Sequence, residues 1–162
     1  MIGQFEVKTM PVYFYFQKTH ANFITPKIPV PFEVQKVNVG GGMNNKGVFT
    51  APRAGLYSFS LQGAASFTPV KNIRHSRFYI HFYLNGKPLK AGSYVDAISD
   101  KTEKQFETFS LQTSVNLKVG DKIWLEVQIR TKGAALWDDI DFTTHYNGWL
   151  VEEDLSTILK IV

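Results

Sequence analysis

Residues 47–59 read GVFTAPRAGLYSF, a run in which Gly47, Pro52 and Gly55 punctuate residues that otherwise favour a pleated sheet. Gly47 ends a glycine-rich turn, and Val48, Phe49 and Thr50 make a short strand. Pro52 and Gly55 then form a corner that launches Tyr57 and Phe59 into the core. The stretch is architectural, so functional residues are sought in the exposed loops instead.

Working outward, short windows of alternating apolar and polar residues recur along the chain, each closed by Gly, Pro, Asn or Asp. Strands are expected at 12–18, 33–38, 48–50, 55–67, 77–84, around LKAGSYVDA, and at 106–118, 122–131 and 144–151. The prolines of THANFITPKIPVP exclude that segment from a central strand, and it reads as a loop. Residues 132–143 also read as loop, and only VEEDLSTILKIV at the C-terminus has the composition of a short helical turn. Strands joined by short turns, without alternating helices or a repeat, define an all-β antiparallel sandwich or jelly roll.

A chain of 162 residues fills one core and is short for two, so residues 1–162 are read as a single domain. Aromatic residues at 14% favour the β reading, while 20% charged and 44% hydrophobic residues argue against disorder. A net charge of +4 is too small for a nucleic-acid footprint and favours anionic partners only slightly. Without cysteine there is no disulfide, no thiolate zinc site and no cysteine nucleophile. No window approaches a membrane span, and MIGQFEVKTMPVYFYF lacks the basic start and unbroken apolar run of a signal peptide.

Two strands carry aromatic residues on the face opposite their apolar row. In LKVGDKIWLEVQI, Ile123, Leu125, Val127 and Ile129 share the face assigned to the core, which turns Trp124, Glu126, Gln128 and Arg130 outward. In RFYIHFYLNG, Phe78, Ile80, Phe82 and Leu84 form one row, and Tyr79, His81 and Tyr83 the other. An outward aromatic face is expected to be buried against another copy, making Tyr79, His81, Tyr83 and Trp124 the candidate oligomer interface.

PFEVQKVN, GVFTAPRAGLYSFS, FYLNGKPL, FSLQTSVNLKVGDKIWLEV and YNGWLV follow one another in an order that resembles the globular head of the complement C1q family, related in fold to tumour necrosis factor. The resemblance spans about residues 12–151 and is densest at Phe32, Asn38, Phe49, Gly55, Tyr57 and Phe59. It departs from the pattern at Met43, at Leu61 and in the length of the turn before Phe49. It implies a ten-stranded jelly roll assembled as a homotrimer, with inner-sheet aromatics around the threefold axis. An extracellular location follows from the same resemblance; the stalk common in the family has no collagen or heptad repeat here, and the non-enzymatic reading rests on the residues below.

His20, His75, His81 and His145 are scattered, with no H-E-x-x-H or G-x-S-x-G motif, so no catalytic set emerges. Asp138, Asp139 and Asp141 in WDDIDF place three hard oxygen donors on one loop, which makes calcium the candidate cofactor. Lys71, Arg74, His75 and Arg77 form a basic cluster suited to anionic glycans or microbial surfaces, and Trp137 is a candidate sugar-stacking or anchoring residue. The expected function is multivalent recognition of glycans or anionic surfaces by a trimeric head. The alternatives are a signalling or adhesion ligand that clusters a cell-surface receptor, and a structural trimerisation tip.

Overall fold

The computed structural model describes residues 10–19, 22–98, 103–129, 132–139, 141 and 143–156. His20, Arg130 and the last six residues of the C-terminal helical candidate lie outside them, as does the side chain of Ile129. Ten strands form: β1 Tyr13–Gln17, β2 Val34–Val39, β3 Phe49–Thr50, β4 Gly55–Phe67, β5 His75–Leu84, β6 Lys87–Ile98, β7 Gln105–Leu117, β8 Lys122–Ile129, β9 Ala134–Trp137 and β10 His145–Glu153.

The strands divide into two antiparallel sheets. One runs β2-β1-β10-β4-β7, with β9 also paired to β4; the other runs β3-β8-β5-β6. β4 matches its expected span residue for residue. β9 is a correction to the expected loop, and it arises because Ala64–Phe67 of β4 offer a free edge beyond the end of β10. The segment AALW has little strand propensity of its own, so the pairing and a further bridge from Phe23 to Leu136 supply what the local sequence lacks. At the C-terminus, Val151, Glu152 and Glu153 continue β10 instead of turning helical, because Glu152 and Glu153 pair with Leu56 and Gly55.

The alternation expected from the sequence places the core. Tyr57, Phe59 and Leu61 of β4, Phe78, Ile80 and Phe82 of β5, and Ile123, Leu125 and Val127 of β8 are all buried. Leu84 is only partly buried. Between the sheets Phe14, Phe49, Phe59 and Tyr146 meet as an aromatic cluster, with Phe14 at 4.9 Å from Tyr146 and 5.3 Å from Phe49, ring centroid to ring centroid. Such pairs add roughly 0.5–1.5 kcal/mol beyond their area burial. Met43, one of the departures from the family pattern, is buried, and Asn38 holds its backbone by donating to the Met43 carbonyl at 2.8 Å.

The 47–59 corner is held from several sides. Gly47 has φ 82°, and a Cβ there would lie 1.8 Å from the Val30 carbonyl oxygen, so no other residue fits without moving that loop. The Ala51 amide donates to the Asp121 carbonyl, and the Tyr57 hydroxyl donates to the Arg53 carbonyl at 2.9 Å. Arg53 also reaches the Met10 carbonyl and Glu153, which gathers both ends of the described chain at one end of the sandwich. The β4–β5 and β9–β10 connections lie at the other.

Candidate recognition surfaces

The β4–β5 connection at the end away from the termini carries the basic cluster. A turn closed by the Ile73 amide on the Val70 carbonyl, with Asn72 at φ 68°, leaves Lys71 and Arg74 exposed. His75 and Arg77 are exposed at the start of β5, on its outward row. The structure therefore brings Lys71, Arg74, His75 and Arg77 to one edge.

Trp137 is placed elsewhere. It ends β9 opposite Ala64, on the outward face of the six-stranded sheet, and its ring meets Phe106 with 4.7 Å between centroids. Together with Gln62, Thr108, Ser110 and Thr143 these rings line an open depression of about 530 Å³. Lys104 Nζ lies 5.2 Å from the Phe106 centroid, so a cation borders this hollow too. Trp137 and the His75–Arg77 row thus belong to different sheets.

The acidic loop is organised by Asp138, which is buried. Its Oδ1 accepts from the Asp139 and Thr143 amides at 2.7 and 2.9 Å, and its Oδ2 accepts from the Thr144 amide at 3.2 Å. Asp139 accepts from the Asp141 amide at 2.9 Å. The carboxylates face backbone N–H groups, an arrangement that shapes a loop. No group of three His, Cys, Asp or Glu side chains that could hold a metal ion occurs among the described residues.

Tyr79, His81, Tyr83 and Trp124 fall on the outward face of the four-stranded sheet, half-buried, as the alternation requires. The Tyr79 and His81 rings are within 7° of parallel, and the Tyr83 and Trp124 rings within 14°. Gln128 donates to the Tyr83 hydroxyl at 3.1 Å, and Trp124 Nε1 donates to Glu126 at 2.8 Å.

The six-stranded sheet has a second outward face that the sequence reading did not single out. Val39, Trp149 and Phe106 are 43%, 38% and 49% exposed there, more than any ring of the four-stranded row. Between them Tyr15 and His145 are hydrogen bonded through the tyrosine hydroxyl and Nδ1, and Gln17 donates to the same hydroxyl at 3.2 Å. The alternation of VYFYFQ, with Phe14 and Phe16 inward, already marks Tyr13 and Tyr15 as outward.

The two packed antiparallel sheets, with loops at the end away from the termini, define a jelly roll. The family model of the C1q domain matches residues 12–151, and the chain belongs to that family. Its fold is similar to the solved "Globular Domain of Zebrafish Complement 1qA protein", with a TM-score of 0.60 at 18% identity, covering 88% of this chain and 99% of that one. No curated protein matches it by sequence. C1q domains are recognition and trimerisation modules, non-enzymatic and typically extracellular.

Proposed function

We propose that this chain is a secreted, homotrimeric recognition head that binds glycans or anionic microbial surfaces by repeated weak contacts. Exposure of Lys71, Arg74, His75 and Arg77 together at one edge carries this reading, because three copies of a weak positive patch gain avidity without a new contact. The outer face of the six-stranded sheet supports assembly: Val39, Trp149 and Phe106 present there the larger apolar exposure that an interface would cover. That face suits the trimer contact better than the Tyr79, His81, Tyr83 and Trp124 row, whose rings are already half-buried.

A glycan array probed with the wild-type chain and with a Lys71→Glu/Arg74→Glu variant tests the recognition. Acidic glycans bound by the wild type and lost by the variant are expected; an array without hits overturns it. Sedimentation of a Trp149→Glu variant tests the assembly, with a monomer expected where the wild type is a trimer. A wild-type monomer overturns that part.

A further inference from the structure

The basic cluster does not stop at the loop. His75, Arg77, Tyr79, His81 and Tyr83 occupy alternate positions of β5 and point to the same outward face, a row roughly 27 Å long at strand spacing. Its first two members are basic and its last three aromatic. On β8 the register sets Trp124 across from Tyr83 and Gln128 across from Tyr79, which widens the row into a strip of rings and hydrogen-bonding groups.

The ring orientations are set by what lies around them. His81 sits over Gly92 of β6, where even a Cβ would come within 2.2 Å of its Nδ1, and this holds the imidazole nearly parallel to Tyr79. Gln128 fixes the Tyr83 hydroxyl, and Tyr83 lies nearly parallel to Trp124. A partner meets surfaces that lose little freedom on binding.

The charge around the strip is positive. Glu126, the acid opposite His81, is 8% exposed and accepts from the Trp124 indole. Lys90 projects outward between Leu89 and Ala91, which pack on the core, and Lys122 is exposed beside Trp124 on β8. Arg74, Arg77, Lys90 and Lys122 are all exposed and carry the positive charge.

From this juxtaposition we infer that the outward face of the four-stranded sheet binds a linear acidic polysaccharide laid along β5, its sugars against Tyr83, Trp124 and Tyr79 and its anionic groups toward Arg74, Arg77, Lys90 and Lys122. The inference rests on the glycan reading above and extends it from the loop edge to the sheet. The charge selects an acidic chain over a neutral one, and the rings select sugars over a simple polyanion.

Calorimetry on the full chain tests it, with a heparin hexasaccharide, an oligogalacturonate of similar length and neutral maltohexaose as probes. Binding of one or both acidic probes but not the neutral one is expected, and the two acidic arms separate sulfate from carboxylate preference. Lys90→Glu/Lys122→Glu is expected to weaken binding about tenfold. Trp124→Leu should do the same; if it melts early, Trp124→Phe, which keeps a ring, should keep most of the affinity. Equal binding of maltohexaose overturns the inference, as does loss of affinity in Lys71→Glu/Arg74→Glu with the Lys90, Lys122 and Trp124 variants unaffected, which leaves the loop reading standing. Failure of the wild type to bind any acidic probe overturns both.

Discussion

Asp138 and Thr144 clasp each other across the β9–β10 loop: the Asp138 carboxylate accepts from the Thr144 amide, and the Thr144 hydroxyl donates to the carbonyl of neighbouring Trp137 at 3.0 Å. Both residues are buried, so each bond replaces water that the chain has excluded. The loop that carries the acids is thereby tied to the strand that carries Trp137.

Asp138→Ala should destabilise the fold by about 2–3 kcal/mol, since it leaves the amides of Asp139, Thr143 and Thr144 without their charged acceptor. Urea unfolding of the variant and the wild type measures it. A change below about 0.5 kcal/mol would mean the loop is held by something else.

Tyr146 is fully buried among Phe14, Phe32 and Phe59, and its hydroxyl has no hydrogen-bond partner among the described residues. Burial pushes its phenol far above the usual tyrosine range. Tyr146→Phe removes the unmatched group while keeping the ring, so it is expected to stabilise the protein by about 1 kcal/mol. A lowered melting temperature would show that the hydroxyl is satisfied in solution.

Asp121 accepts from the Asn85 side chain at 2.9 Å and from the Lys118 amide at 2.8 Å, joining the β5–β6 and β7–β8 turns. The Asn85 bond, reinforced by the Lys118 amide, holds its carboxyl below the usual aspartate value. Because the folded value is depressed, the associated stability is present above the ordinary aspartate range and lost as pH falls through the folded value. Melting curves between about pH 6 and pH 2 should show a steeper acid loss in the wild type than in Asp121→Asn. Parallel curves would count against the assignment.

Much of the core was readable because a strand's alternation is a local property. Phe78, Ile80, Leu125 and Val127 were grouped by period two, and Tyr57 and Phe59 were placed inward by the corner before them; all are buried. β9 was not readable, since Ala134–Leu136 form a strand only where β4 supplies an edge. Trp137 beside three acids read as part of an acidic loop, yet the pairing with Ala64 turns it toward Phe106 on another surface. The apolar exposure of Val39, Phe106 and Trp149 was equally hidden, because those residues are far apart in the chain and share a face only through the order of strands.

The sequence by itself determined the all-β class, the inward rows and, through GVFTAPRAGLYSF, the family, because turn chemistry and alternation act over a few residues. Only the tertiary structure decided which outward rows share a face, where the basic edge continues and what Asp138 holds. Those outcomes depend on pairings between distant strands, such as β5 with β8 and β4 with β9, whose register no local pattern specifies.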